Sequence, residues 1–313
     1  MEKGKIGLFK ESRDYRLYSV RGSDFPSNSY ILCSEQSRKI LYSPHIAGKR
    51  LQDSLDGMGE LFARVIGENF LAGEERGKTV ELIFMSGGLF YSLNHGFKKV
   101  YGFALPQCYM GIQRVRVDGS EGEFTARVGY ENFESLQDNA NIVIGDTIAT
   151  GSTLFKGLRW LLTILEERRY KMNRLVICTL AGSLKGARKL ADMERRIKFE
   201  HPNAKLYFVA CEQLFHLMPD GTDLRFVGES AVAPEETAQE TRRMYGEYLG
   251  KHMKCAVFDW GTRCKNPKKH YHEFLEFCEK ELKSKGIDEQ GRKVLQGMKE
   301  EALRELAEHA KKF

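Results

Sequence analysis

Apolar positions along this chain alternate between two rhythms. Short runs of β-branched and aliphatic residues, Thr79 to Met85, Asn141 to Ile144, Arg174 to Leu180 and Lys205 to Ala210, are too brief for helices and read as buried strands. Between them, apolar residues recur at helical spacing. Leu51, Leu55, Met58, Leu61, Phe62, Val65 and Ile66 predict an amphipathic helix from Arg50 to Phe70, closed by Gly73. Leu154, Leu158, Leu161 and Leu162 mark a second over Ser152 to Arg169, and 182–198 reads as a third. Lys99 to Ala104 predicts a further strand after the break at Gly96. Gly111 to Arg116 and Glu123 to Val128 predict a hairpin that turns at Asp118-Gly119.

Strands that alternate with helices imply an α/β fold: a mainly parallel twisted sheet, right-handed crossovers, helices on both faces, and ligands beyond the carboxyl ends of the strands. That core is expected over residues 46–230. Residues 1–45 mix short β-like runs, Lys5 to Phe9 and Tyr30 to Cys33, with turn residues and are expected to form an irregular arm or edge hairpin. From Pro234 the pattern turns helical, over Glu235 to Tyr248, His270 to Lys285 and Glu289 to Lys312. Residues 231–313 therefore read as an appended helical region that packs on the core or on a partner chain.

The most informative string is Asn141-Ile-Val-Ile-Gly-Asp146-Thr-Ile-Ala-Thr150-Gly151-Ser152-Thr153-Leu154. An apolar strand runs into an acid and then into a hydroxyl-rich turn that opens a helix. Unpaired N–H groups and the positive dipole end of a helix N-terminus suit a phosphate, Gly151 permits close backbone approach, and Ser152 and Thr153 add donors. Asp146, at the strand's carboxyl edge, can accept from sugar hydroxyls. The plain alternative is a strand-to-helix turn in which Ser152 or Thr153 caps the helix and Asp146 is a solvated turn residue. Ser86-Gly87-Gly88, at the end of the strand Leu82 to Met85, is a second turn whose backbone could offer N–H groups to a diphosphate.

Bulk properties narrow the class. The 313 residues allow a large core, with no run approaching about 18 consecutive apolar residues and no apolar block behind Met1, so a soluble, cytoplasmic protein is expected. Seven scattered cysteines fit reduced thiols rather than a disulfide framework. A formal charge of +6, from 49 basic and 43 acidic residues, suits an anionic small ligand and gives little support for nucleic acid. Cys255, Cys264, His270, His272 and Cys278, with His252 nearby, lack the paired Cys-x-x-Cys spacing of structural zinc sites. No metal is assigned to them.

The Asn141–Leu154 string resembles the phosphoribosyl diphosphate (PRPP) motif of type I phosphoribosyltransferases, and further strings are similar to the uracil branch of that family. Phe84-Met-Ser86-Gly87-Gly88-Leu89 looks like the branch's Ile-Leu-Arg-Ala-Gly-Leu, and Met110-Gly111-Ile-Gln-Arg114 like its Val-Gly-x-x-Arg. Ala126 to Glu131 echoes the far side of the branch's flexible hairpin hood, and Ala149-Thr150-Gly151 repeats its Ala-Thr-Gly. Leu180 to Gly186 sits where the branch has Ala-x-x-Glu-Gly. His201-Pro202 with Leu206 to Ala210, then Leu217-Met218-Pro219-Asp220-Gly221-Thr222-Asp223, resemble its His-Pro and Ile-Val-Pro-Gly-Leu-Gly-Asp segments. The resemblance spans residues 45 to 228.

The resemblance implies transfer of 5-phosphoribosyl from PRPP to a nucleobase, uracil or a related heterocycle, in nucleotide salvage. Thr147, Ala149 and Thr150 to Thr153 would hold PRPP by its 5′-phosphate side, and Asp146 would orient the ribose hydroxyls. Ser86, Gly87 and Gly88, with Arg114 and a Mg2+ ion bound with PRPP, would neutralise the departing diphosphate. Met218, Pro219, Gly221 and Thr222 would line the base pocket, with Asp223 near the base or the metal's waters. Relatives of this kind imply a homodimer or higher homo-oligomer. Three positions depart from the pattern: the loop arginine is Ser86, the first motif acid is Gly145, and Asp220 replaces a base-pocket glycine. Those departures leave open a second class, a PRPP- or nucleotide-binding regulatory protein without turnover.

Overall fold

The computed structural model describes residues 4–85, 88–116, 124–257 and 263–311. In chain order the elements are β1 (Lys5–Glu11), β2 (Arg16–Arg21), β3 (Asn28–Cys33), α1 (Glu35–Leu41), α2 (Gly48–Asn69), β4 (Thr79–Met85), α3 (Leu93–Tyr101), β5 (Gln107–Arg116), β6 (Phe124–Asn132), β7 (Ala140–Gly145) and α4 (Ser152–Arg168). They continue as β8 (Met172–Thr179), β9 (Gly182–Ser183), α5 (Leu184–Glu200), β10 (Lys205–Cys211), β11 (Leu214–Leu217), β12 (Leu224–Arg225), α6 (Glu235–His252), α7 (Pro267–Leu282) and α8 (Glu289–Lys311).

Nine strands form one sheet in the order β1-β2-β3-β10-β8-β7-β4-β5-β6. The six inner strands from β3 to β5 run parallel, and each edge is finished by antiparallel pairing, β1–β2–β3 on one side and β5–β6 on the other. The buried strands are the continuous apolar runs read from sequence: all six residues of β7 are buried, and β4 is buried up to Met85. Strands covered on both faces need no polar alternation.

Helices cover the two faces with separate apolar clusters. On one face α4 and α5 bring Leu154, Leu158, Leu161, Leu190 and Ile197 onto Ile142, Ile144, Ile177 and Phe208. On the other, α1, α2 and α3 are joined by α6, α7 and α8, whose Tyr245, Leu249, Phe274 and Leu295 share a cluster with Phe62, Val143 and Val176. The C-terminal helices thus complete one face of the sheet's core. No helix among the described residues is long and apolar enough to cross a membrane.

Two expectations are corrected. Of the two readings for residues 1–45, the edge hairpin is present in β1 and β2 and the irregular arm is not, because β3 enters the main sheet beside β10, Asn28 opposite Tyr207 and Leu32 opposite Cys211. Lys99 to Ala104 is not a strand: α3 runs to Tyr101, Gly102 ends it at φ 75°, and the strand starts at Gln107, beyond Pro106. The hairpin of β5 and β6 is in place with Arg116 opposite Phe124, while its turn at Asp118-Gly119 falls outside the described residues.

Candidate functional site

At the carboxyl end of β7 the chain leaves the sheet through a tightly bonded loop. The Asp146 N–H donates to the Cys178 carbonyl at 3.1 Å, and the Ile148 N–H to the Ala181 carbonyl at 3.0 Å. Ser183 closes the other side, its N–H donating to the Ile148 carbonyl at 2.9 Å and its hydroxyl to the Ala149 carbonyl at 2.5 Å. The same Ser183 hydroxyl accepts from the Gly186 N–H at 3.0 Å and caps α5. One serine therefore ties the PRPP-like loop to the start of the next helix.

The turn that follows does not have the plain capped geometry. Gly151 is the N-cap of α4, in the left-handed region at φ 70°, and makes no side-chain cap bond. A Cβ there would lie 3.2 Å from the Gly186 Cα, so a side chain would meet both backbone strain and α5. Ser152 and Thr153 are half-buried in the first turn of α4. Ser152 Oγ accepts from the Lys189 ammonium at 2.7 Å, and the Thr150 hydroxyl donates to Ser152 Oγ at 3.2 Å. A helix N-terminus, two or three hydroxyls and a lysine converge on one spot, an arrangement suited to a phosphate.

The absent motif acid has a steric cause. A Cβ on Gly145 would sit 2.5 Å from Cγ and 2.6 Å from Cβ of Tyr91. Tyr91 is 1% exposed, stacks near Phe62 with ring centroids 6.3 Å apart, and accepts the Leu180 N–H at 3.0 Å. Its hydroxyl is 3.4 Å from the Thr147 hydroxyl. Burial first, and then the neighbouring Asp146 carboxylate, push the Tyr91 phenol up. Asp146 itself is 8% exposed. Tyr91 stands where a first acid's side chain would begin, and nothing in the sequence string reveals it.

The other expected residues divide into three groups. Gly88 lies against the motif strand, with a Cβ there 3.1 Å from the Gly145 carbonyl oxygen, so the end of the Ser86-Gly87-Gly88 turn and the PRPP-like loop are neighbours. Ser86 and Gly87 lie outside the described residues. Arg114 holds a place in β5 opposite Ala126, and its side chain also lies outside them.

Met218, Pro219 and Gly221 do come together: they line a cavity of about 270 Å3 with Leu184, Lys185, Arg188, Leu217 and Ser230. A Cβ on Gly221 would be 3.3 Å from Thr150 Cγ2, which sets this segment directly against the phosphate-type turn. Thr222 is not among the lining residues. Asp220 does not enter the cavity wall either, because its carboxylate accepts the Thr222 and Asp223 N–H groups at 2.9 and 3.0 Å and closes the turn.

Asp223, expected near the base or metal waters, is instead paired with Arg225 at 3.0 Å and Lys254 at 3.1 Å. Those bonds fasten the segment to the chain after α6. Among the described residues no group of three or more His, Cys, Asp or Glu side chains could hold a metal ion. In the C-terminal cysteine and histidine set, His270 is buried with Nε2 2.6 Å from the Pro44 carbonyl, and burial pushes the Cys278 thiol up to about 12. Lys189, Lys185, Arg188 and Tyr91 are the site residues missed in the sequence. For the three cations the signal, a basic first stretch of α5 without an acid, was present but had no distinguishing spacing, and Tyr91 had none.

No protein-family model matches this sequence, and no curated protein does. Among solved structures the chain is similar to an adenine phosphoribosyl transferase from Trypanosoma brucei in complex with AMP, pyrophosphate and ribose-5-phosphate, at 16% identity over 68% of this chain and 95% of that one, TM-score 0.38. It is also similar to a hypoxanthine phosphoribosyltransferase from Staphylococcus aureus, at 15% identity over 59% and 82%, TM-score 0.30. A hypothetical protein from Neisseria gonorrhoeae with bound ppGpp gives 15% identity over 42% and 68%, TM-score 0.30. At such identities and TM-scores these likenesses say nothing of what this chain does, and its activity has to be argued from its own residues.

Proposed function

We propose that this chain transfers a 5-phosphoribosyl group from PRPP to a nucleobase, uracil or a related heterocycle, with release of diphosphate. The observation that carries the reading is the start of α4, where Gly151, Ser152, Thr153 and the Lys189 ammonium form a phosphate-type turn against a cavity lined by Met218, Pro219 and Gly221. In this reading the turn grips the 5′-phosphate, with Thr147 and Ala149 shaping the loop. Asp146 accepts from the ribose hydroxyls, and its negative charge opposes the positive charge that develops on the sugar as the C1′–O bond breaks. The base nitrogen attacks C1′, diphosphate leaves with the bonding pair, and the proton of the base N–H passes to the departing diphosphate or to solvent. Ser86, Gly87, Gly88 and Arg114 receive that diphosphate, and holding both substrates in line is the protein's main contribution.

Mg2+ would neutralise charge on the diphosphate when bound. In this reading the ion arrives with PRPP, and Asp146, just past the end of β7, is the motif carboxylate beside it. A homodimer or higher homo-oligomer and a cytoplasmic setting belong to the same proposal.

The Tyr91–Gly145 contact favours a second reading, a PRPP- or nucleotide-binding regulatory protein, since one motif carboxylate is replaced by a buried ring. Incubation with PRPP, Mg2+ and a panel of bases, following diphosphate release, separates the two. Release with any base supports the transferase and rejects the regulator; PRPP binding with no release over the whole panel does the reverse. Asp146→Ala should weaken PRPP binding, and unchanged affinity would remove Asp146 from the site.

A further inference from the structure

We propose that the acceptor is an anionic heterocycle, a ring bearing a carboxylate, held by Lys185 and Arg188 in the cavity beside Thr150. This rests on the phosphoribosyl-transfer reading and names its substrate class. At about 270 Å3 the cavity lies just under the usual span of ligand pockets, roughly 300 to 1,000 Å3, so it suits one substituted ring and not a nucleotide.

Its two walls differ in chemistry. Leu217, Met218, Pro219 and Gly221 form an apolar wall with backbone groups, sufficient for the flat face of a ring. The first turns of α5 supply the other, with Leu184, Lys185 and Arg188. Ser230 is the remaining polar lining group, its hydroxyl 2.7 Å from Nδ1 of His216. No acidic side chain is among the described lining residues. A neutral base can take a single N–H bond from a cation at a ring carbonyl, but it offers no charge to balance the two cations on this wall. They give a carboxylate charge-assisted hydrogen bonds, bidentate ones in the case of arginine.

The sequence of α5 points the same way. Its first turn has no acid, and Lys185, Arg188 and Lys189 all stand within its first six residues, near the positive end of the helix dipole, where cations are locally unfavourable. Local conflicts of this kind collect at ligand sites. Lys189 is accounted for by Ser152 Oγ at 2.7 Å, on the phosphate side. Arg188 is braced by Asp24 at 2.8 Å, an ion pair open enough to be shared with or yielded to a ligand, with 40% and 29% of the two side chains exposed. Lys185 is exposed at the cavity wall. One helix end thus carries a cation to the phosphate turn and two to the adjoining cavity.

Matched ligands test the assignment on the full-length protein: a pyrimidine and its carboxylate, and a pyridine carboxamide and the corresponding carboxylate. Binding is measured by calorimetry with and without saturating PRPP and Mg2+, and PRPP affinity is measured separately. The acid of each pair should bind at least about ten-fold more tightly, and the preference should weaken with salt. Lys185→Gln and Arg188→Gln should each reduce the preference, with thermal unfolding followed to verify folding; Lys185, being exposed, keeps the test valid should Arg188→Gln unfold. Equal binding of acid and neutral members, or a preference undiminished in Lys185→Gln, overturns the proposal. Normal PRPP binding with equal affinities sinks this inference and leaves the transferase reading standing. A carboxylate preference with no PRPP binding keeps the cavity assignment and sinks the transferase reading.

Discussion

Gly145→Ala isolates the contact that separates this chain from the motif it resembles. A Cβ on residue 145 would lie 2.5, 2.6 and 2.7 Å from Cγ, Cβ and Cδ1 of Tyr91, well inside van der Waals contact. The ring cannot swing away cheaply, since it is 1% exposed, lies near Phe62, and accepts the Leu180 N–H. Overpacking of this kind costs about 1–3 kcal/mol. With an unfolding entropy of about 2.1 cal/mol/K per residue, each kcal/mol lowers the Tm of a 313-residue chain by about 1.5 °C, so a fall of roughly 1.5–5 °C is expected in a thermal scan. Gly145→Asp, which puts an acid where the motif it resembles has one, should fall at least as far without tightening PRPP binding. The double substitution Gly145→Ala with Tyr91→Leu should lose less than the sum of the singles, a coupling of about 0.5–3 kcal/mol. If Gly145→Ala melts with the parent protein, the steric account of the missing acid is wrong.

Four other outcomes are expected. Gly151→Ala puts a side chain in the left-handed region at φ 70°, a strain of about 1–2 kcal/mol, and should lower both Tm and PRPP affinity; an unchanged affinity by calorimetry would detach the turn from the phosphate. Burial pushes the Glu81 carboxyl up to about 7, against the opposing hydrogen bond from Gln107 at 2.9 Å, so its contribution to stability is full below pH 4.5 and is lost as pH rises through 7. Glu81→Gln should flatten that fall in a Tm profile from pH 5 to 8, and a profile as steep as the parent's would show that another group titrates. Asp223→Asn breaks the half-exposed pairs with Arg225 and Lys254, so Tm should drop by the equivalent of about 1 kcal/mol or less while PRPP affinity, by calorimetry, stays within about twofold. Arg263→Met orphans buried carbonyls that the guanidinium now serves, and by the cost of about 1–3 kcal/mol for each unsatisfied group it should be the most destabilising of the set in the same thermal scans.

Periodicity made the centre of this fold legible because buried parallel strands carry their own signal: β4, β7, β8 and β10 each hold a continuous apolar run, and α2 and α4 keep a clean apolar stripe. The errors fall where signals are shared. Phe97, Val100, Tyr101 and Phe103 form an apolar run around Gly102 that fits a strand as well as a helix end, and Lys98 and Lys99 in the last turn of α3, favourable to its dipole, tipped the balance. The pairing of β3 with β10 joins residues about 180 positions apart, for which no local pattern exists. In the site, the Thr150–Thr153 turn and the cavity segment from Met218 to Gly221 were readable as strings because each is contiguous. Tyr91 was not, since its role depends on the helix-linked return of β4 beside β7, and Lys189 reaches Ser152 from another helix.

The same dependence on distant contacts explains why the helices after Pro234 belong to the site's support. The carboxylate of Glu212, just past β10, accepts the Ser34 N–H at 2.9 Å, the Ser37 hydroxyl at 2.6 Å and Arg38 Nε at 3.0 Å, and the Thr237 hydroxyl of α6 stands 3.3 Å from it. That set of donors holds Glu212 at φ 61°, a conformation costly for a side-chain-bearing residue. On the opposite side Arg263 donates to the carbonyls of Ser43 and Ile46, at 2.8 and 2.7 Å, and Tyr42 donates to or accepts from Thr241 at 2.7 Å. The stretch after β3 is therefore fixed by a buried acid from the sheet and a buried base from beyond α6. With Asp223 tied to Lys254, the segment that forms one cavity wall is fastened to the same C-terminal structure. A perturbation of the helical region should reach the cavity through these few polar links before it disturbs the apolar core that α4 and α5 build on the other face.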